Sequence, residues 1–276
     1  MADDGAGGGN PSRARDHLTN ERTYLAWLRT AVNVMALGLV IAKFVHVGGG
    51  RAVAAGVILV VGGRFLMGSA NQPALTRTRQ VYDAVASRYD QLIAPVERLL
   101  VGDGRRWAAG QARGQVLEIG TGTGRTLTEL PADPAAVGVD ISLGMLHQAG
   151  SRARDAGAVL LAADAARLPL TDASIDTVIS TLTLCAMPDP AATLTETRRV
   201  LRPDGRLILL EHSTAGSPVL AALQRALERW TIPRYGEHLT REPAALAVAA
   251  GFTLEHTSSH RGGLVRRVIA RPCTSE

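Results

Sequence analysis

At 276 residues the chain has room for one α/β domain and a smaller second module, since single domains run about 100 to 200 residues. Its formal charge of +5 comes from arginine, because Lys43 is the single lysine, and the arginines are scattered along every segment instead of forming a phosphate-tracking stripe, which sets nucleic acid aside as a partner. Cys185 and Cys273 lie far apart and show neither metal-ligand spacing nor a paired framework, so neither a metal site nor a disulfide is expected.

Residues 1–19 open with a Gly-, Asp- and Asn-rich stretch that lacks the basic-then-apolar order of a secretory signal, and a disordered tail is expected there. Residues 30–47 and 52–70 are apolar runs, each close to the ~20 residues that cross about 30 Å of hydrocarbon, joined at Gly48-Gly49-Gly50. Neither run has a polar face at helical spacing. A two-helix transmembrane hairpin over residues 20–71 is therefore preferred to a soluble helical hairpin buried on the second module. Arg29, Lys43 and Arg64 sit near the span ends, where long side chains reach the headgroups, and Asn33 is the polar group inside. Arg13, Arg15 and Arg22 precede the first span and Arg77, Arg79 and Arg88 follow the second, against Arg51 and Lys43 at the loop. The positive-inside rule then puts both ends, and the domain that follows, in the cytoplasm, with membrane lipids as partners of the hairpin. The Arg22-Thr23-Tyr24-Leu25-Ala26-Trp27-Leu28-Arg29-Thr30 segment resembles the opening of the YidH-like membrane domain (domain of unknown function 202), which implies an anchor and no assigned chemistry.

Residues 71–115 read as a linker and two helices, of which Val81-Tyr82-Asp83-Ala84-Val85-Ala86-Ser87-Arg88-Tyr89-Asp90 places its apolar residues on one face. Val116-Leu117-Glu118-Ile119 reads as a buried parallel strand, and Gly120-Thr121-Gly122-Thr123-Gly124 as a turn that brings backbone close to a ligand. Glycine-rich turns also serve nicotinamide and flavin enzymes, so a nucleotide-dependent oxidoreductase is a competing reading. The G-x-G-x-G spacing and the acid Glu118 before it favour a ligand bearing an ammonium group over a diphosphate. The strand over residues 136–139 ends in Asp140, placed to take two ribose hydroxyls, with Ile141 beside it. Val159–Ala162 is the third strand. After it, Asp164 and Ala165 offer an acceptor side chain and an amide to an adenine edge. Residues 191–201 and 217–230 are amphipathic helices facing a core, Thr240 to Glu242 reads as a helix start, and 252–260 and 264–271 alternate as a hairpin turning at Gly262-Gly263.

These segments together resemble the motif series of class I S-adenosylmethionine-dependent methyltransferases. Val116 through Gly124 is similar to the first motif, Gly138-Val139-Asp140-Ile141-Ser142 to the second and Ala163-Asp164-Ala165-Ala166-Arg167-Leu168-Pro169-Leu170 to the third. Ser174-Ile175-Asp176-Thr177-Val178-Ile179-Ser180 and Leu201-Arg202-Pro203-Asp204-Gly205-Arg206-Leu207 continue the series. The nearest flavour is the ubiquinone and menaquinone biosynthesis type and its methyltransferase-like relatives. The resemblance implies a Rossmann-like α/β domain over residues 72–276, with a mainly parallel seven-stranded sheet whose last strand is antiparallel. It also implies S-adenosyl-L-methionine bound by Glu118, Gly120, Thr121, Gly122, Gly124, Asp140, Ile141, Asp164, Ala165 and Ser180.

Methyl transfer from a sulfonium is an in-line displacement that rests on positioning, and ligands of open α/β sheets bind beyond the strand ends. This puts Ser180 to Cys185, Glu211, His212 and the Tyr82/Tyr89 helix around a small, lipophilic acceptor such as a quinone, thiol, phenol or lipid head group. A base helps such an acceptor. His212 is the first candidate, with a structural role equally open, and His238 the second. Tyr82 and Tyr89 are either a lid over the cofactor or packing aromatics. A sensor or scaffold that binds the cofactor without turnover is the alternative function.

Overall fold

The computed structural model describes residues 74–131 and 135–273. The transmembrane hairpin expected over residues 20–71, with Trp27, Arg29, Asn33, Lys43 and Arg64, and the tail at 1–19, lie outside the described residues. Among the described residues no helix is long and apolar enough to cross a membrane.

Seven strands form one sheet in the order β3-β2-β1-β4-β5-β7-β6. They are β1 (Val116–Ile119), β2 (Ala136–Asp140), β3 (Val159–Ala162), β4 (Ile175–Thr181), β5 (Leu201–His212), β6 (Phe252–His260) and β7 (Val265–Pro272). The first five run parallel, with Ile119 level with Val139 and with Ser180. β7 is antiparallel to both β5 and β6. Strand order reverses between β1 and β4, and at such a switch point a crevice opens beyond the carboxyl ends of the strands.

Strand side chains alternate between the faces. Leu117, Ile119, Leu207 and Leu209 join one core with Leu194, Ala247 and Phe252, while Val116, Ile179 and Ile208 join another with Ala108. The helices are α1 (Ala74–Val85), α2 (Tyr89–Leu100), α3 (Gly104–Ala109), α4 (Leu143–Asp155), α5 (Pro190–Val200), α6 (Pro218–Tyr235) and α7 (Pro243–Ala249). α5, α6 and α7 each start with proline, whose missing N–H costs nothing in the first turn and whose fixed φ suits it. Ser142 and Asp189 cap α4 and α5 by accepting from Met145 N (3.1 Å) and Ala192 N (2.9 Å).

Two expectations are corrected here. Residues 71–115 hold three helices instead of two, because Gly102 turns with φ 57° before α3 begins. The helix over residues 81–90 is not continuous either: a 3₁₀ turn at Ala86–Arg88 separates α1 from α2. The hairpin does close at the expected glycines, through Arg261–Gly263 with Gly262 at φ 70° and Gly263 at φ 100°.

Candidate active site

A cleft of about 490 Å³ lies at the carboxyl ends of the strands, within the range usual for small-molecule sites. Its walls are the glycine loop after β1, Asp140 and Ile141 after β2, Ala163 to Arg167 after β3, Thr181 to Thr183 after β4, and Leu75, Thr78, Tyr82 and Tyr89 from the helices.

The loop glycines answer to different constraints. Gly120 has φ 64°, and a Cβ on it would collide with the Thr183 side chain, so β1 and β4 approach through this position. Gly122 has φ 56°, and a Cβ there would meet nothing: it points into open cleft, where a ligand needs the room. A Cβ on Gly124 would lie 3.2 Å from Ala149 Cβ of α4.

Asp140 closes β2 with both carboxylate oxygens on backbone donors, Oδ2 accepting from Gly122 N (2.9 Å) and Oδ1 from Ser142 N (2.8 Å). Burial raises its pKa and these N–H groups oppose the shift. Each oxygen keeps acceptor capacity for a diol. Asp164 turns Oδ1 to Ala166 N (3.0 Å), and Ala165 lines the cleft beside it.

Three residues stand elsewhere than expected. The Glu118 side chain does not reach the cleft; its carboxylate accepts from Thr121 Oγ1 (2.6 Å) and Thr181 Oγ1 (3.3 Å) behind the loop, and burial raises its pKa. Ser180, fully buried, donates to Glu211 Oε1 at 2.6 Å. His212 shares the face of Ile208 and Leu210, pairs with Val265 of β7, and lies outside the cleft walls, its pKa lowered by burial. It is not within reach as a base. One residue earlier on the other face, Glu211 accepts from Ser180, Thr183 N (3.0 Å) and Leu184 N (3.2 Å), fixing the loop after β4. Leu182 in that loop lines the cleft in the left-handed region, φ 54°, held by its N–H to Leu210 O at 2.8 Å.

Tyr82 and Tyr89 both line the cleft and meet edge to face, with centroids 6.3 Å apart. Burial holds Tyr89 in its phenol form. Sequence reasoning missed what their neighbours do. Asp83 accepts from Ser142 Oγ (2.6 Å) and Gly144 N (2.9 Å), and Asp90 accepts from Thr123 Oγ1 (2.6 Å) and pairs with Arg152 (2.6 Å). The repeated Tyr-Asp pair thus turns a ring to the cleft and a carboxylate to the loop and α4. The seven-residue spacing of Tyr82-Asp83 and Tyr89-Asp90 was the available signal. Arg105, also missed, lines the cleft beside Tyr89. It donates to Thr126 Oγ1 (2.8 Å) and Thr181 Oγ1 (2.9 Å) and pairs with Glu97, which holds Arg125 at 2.8 Å as well.

The donor set suits an adenosyl amino acid. A glycine opens directly onto the cleft, an acid with spare lone pairs ends β2, an acid and an amide follow β3, and two cations flank the loop. Residues 117–209 match the methyltransferase domain family, and residues 15–80 match a domain of unknown function, DUF202. A ubiquinone/menaquinone biosynthesis C-methyltransferase of Syntrophotalea carbinolica is 37% identical over 58% of this chain and 71% of its own length. A demethylmenaquinone methyltransferase of Mycobacterium sp. (strain KMS) is 36% identical over 69% of this chain and 82% of its own. An S-adenosylmethionine-dependent methyltransferase structure from Thermotoga maritima, a possible histamine N-methyltransferase, superposes with TM-score 0.55 at 21% identity, covering 70% of this chain and 99% of that one, and so shares the fold. The chain belongs to the class I methyltransferases and is an enzyme dependent on S-adenosylmethionine.

Proposed function

We propose that the enzyme methylates a small lipophilic acceptor of the quinol, phenol, thiol or lipid head-group class, drawn from the cytoplasmic face of a membrane to which residues 20–71 tether the catalytic domain of residues 72–276. The observation that carries the acceptor class is the make-up of the cleft lining, to which Leu75, Leu182, Ala186, Met187 and Pro188 contribute apolar surface beside Tyr82 and Tyr89. Apolar surface of this kind gains by taking apolar ligand out of water. The two quinone-pathway relatives support the same class, and the DUF202 match together with the apolar runs at 30–47 and 52–70 supports the tether.

When bound, S-adenosylmethionine supplies an electrophilic methyl on a sulfonium. In this reading Asp140 takes the ribose hydroxyls, Asp164 and the Ala165 amide take the adenine edge, and the backbone from Gly120 to Gly124 with Thr121 and Ile141 cradles the rest. Arg105 and Arg125 receive the cofactor's carboxylate. α1 and Tyr89 cover the reacting atoms, excluding water and holding the acceptor in line with the methyl, where pre-orientation is worth several kcal/mol. The domain needs no more than this for an acceptor that is already a nucleophile.

The test uses full-length enzyme in membrane fractions with methyl-labelled cofactor and a panel of demethylated quinols, phenols, thiols and phospholipids. Labelled lipophilic product with at least one class is expected. Cofactor binding without transfer to any of them would sink the acceptor assignment and favour a sensor.

A further inference from the structure

Beside the apolar wall stands an ionisable group that positioning alone does not use. Glu237 follows Gly236, the left-handed residue (φ 70°) that ends α6. Its main chain is pinned from two directions: Thr231 Oγ1 donates to Glu237 O at 2.8 Å, and the next N–H, of His238, donates to Cys185 O after β4, also at 2.8 Å. A Cβ on Gly236 would stand 3.7 Å from Thr78 Oγ1 and 4.0 Å from Ala186 O, both residues of the cleft wall. The segment therefore bridges α1 and the loop after β4. From there the Glu237 carboxylate accepts a hydrogen bond from the Tyr82 side chain, whose ring lines the cleft.

The groups that share its surroundings are Tyr82 from α1, Tyr89 from α2, Cys185 from the loop after β4 and Tyr235 at the end of α6. These four are phenols or a thiol, uncharged near neutral pH, and charged side chains act on them as well: Arg105 and Glu97 on Tyr89, Glu211 and Arg241 on Cys185, and Arg234 on Tyr235. Burial pushes the carboxyl's proton affinity up, and the Tyr82 hydrogen bond is what pulls it back. A half-buried carboxylate set against phenols and a thiol is costly to a fold, and such groups concentrate where proton transfer is needed.

Building on the acceptor class above, and requiring that the acceptor carry a removable proton, we propose that Tyr82 and Glu237 form a relay that takes that proton as the methyl arrives. Tyr82 is the catalytic residue, and Glu237 acts through it. The acceptor's lone pair forms the bond to the methyl carbon, and the carbon–sulfur bond breaks with its electrons left on sulfur. The acceptor's proton passes to the Tyr82 oxygen while the Tyr82 phenolic proton passes to Glu237. Tyr82 is neutral before and after. The positive charge of the sulfonium and the negative charge of Glu237 vanish in one step, and the Glu237 proton then leaves to water.

The experiment compares full-length enzyme with Glu237→Gln and Tyr82→Phe on two thiols of like size at neutral pH, a nitro-substituted aryl thiol that is ionised and an arylmethyl thiol that is protonated. General-base losses run to about a hundredfold. The protonated thiol is expected to lose kcat by that order in both variants and the ionised thiol at least about tenfold less, with the rising limb of the pH profile gone for the former. Equal losses on both thiols would mean a structural role and overturn the relay. An infrared titration reads the pair without turnover. A carboxyl band absent from Glu237→Gln should titrate above the ordinary glutamate range and move in Tyr82→Phe; a band indifferent to Tyr82 overturns the relay. Wild type that turns over neither thiol would refute the acceptor class and the relay with it, whereas turnover of both thiols with equal losses in the variants refutes the relay alone.

Discussion

Replacing Glu211 by Gln should make the domain more stable at high pH and not at low pH. The carboxylate is 1% exposed, and its three hydrogen bonds from Ser180 and the Thr183 and Leu184 amides do not offset burial, which pushes its pKa from 4.5 up to about 7. A carboxyl that holds its proton more tightly folded than unfolded contributes fully below pH 4.5 and loses that contribution as pH rises to about 7. At roughly 1.4 kcal/mol per pH unit the loss is about 3 kcal/mol. Gln cannot ionise: it keeps an acceptor oxygen for the loop amides and turns its NH₂ toward Ser180 Oγ. The stability of Glu211→Gln minus that of wild type should therefore climb by about 3 kcal/mol between pH 4 and pH 8, on the order of 6 to 12 °C in Tm for a domain of this size. Calorimetric or urea melts across that range measure it. Taking the difference removes the other acids, whether their pKa is raised, as for Glu118 and Asp140, or lowered, as for Asp90, Asp176 and Glu196. A difference that stays flat from pH 4 to pH 8 would refute the reasoning.

Asp140→Ala should weaken S-adenosylmethionine binding by at least about tenfold, the worth of one charge-assisted hydrogen bond of ~1.5 kcal/mol, with the circular dichroism of the domain intact; calorimetry showing unchanged affinity would remove Asp140 from the site. Gly122→Ala puts a methyl group into open cleft at φ 56°. It should cost about 1 to 2 kcal/mol of stability and considerably more in cofactor affinity, and a variant that binds like wild type would place the ligand elsewhere. A chain of residues 72–276 should remain in the supernatant after membrane sedimentation and still bind the cofactor, whereas sedimentation with membranes would count against residues 20–71 as the tether.

What could be read in the sequence was what one short segment encodes by itself. The glycines from Gly120 to Gly124 and the acids at the ends of β2 and β3 sit in contiguous motifs, and all of Gly120, Gly122, Asp140 and Asp164 line the cleft. Glu118, Ser180 and His212 were misplaced because a strand's period of two decides which face a side chain takes, and near a strand end one step separates cleft from core. Ser180 and Glu211 come from adjacent strands and satisfy one another inside. Arg105 and Glu237 were illegible for the opposite reason, since each acts on a partner far off in the chain, as Arg105 does on Thr181, 76 positions away; at Asp83 the Tyr-Asp repeat was visible but its partner Ser142, 59 positions away, was not.

The buried acids also bear on how strongly such a site should favour its cofactor. A sulfonium loses its positive charge in the transition state, so ionised carboxylates beside the methyl would stabilise the bound reactant more than the barrier top and slow the reaction. Glu118 and Glu211 both lie behind the loops that flank the cleft, and burial shifts both toward the neutral form. Glu118 is bonded to threonine hydroxyls and Glu211 to the Ser180 hydroxyl and two backbone amides, and among the described residues no arginine is bonded to either carboxylate. The cations around the glycine loop are matched to other acids instead, Arg105 and Arg125 to Glu97, and Arg152, which donates to Thr123 O, to Asp90. A domain built this way holds a cation by shape and by the acids at the nucleoside end while leaving the reacting end close to neutral. In that setting a negative charge that disappears during transfer, as proposed for Glu237, costs less than one that persists.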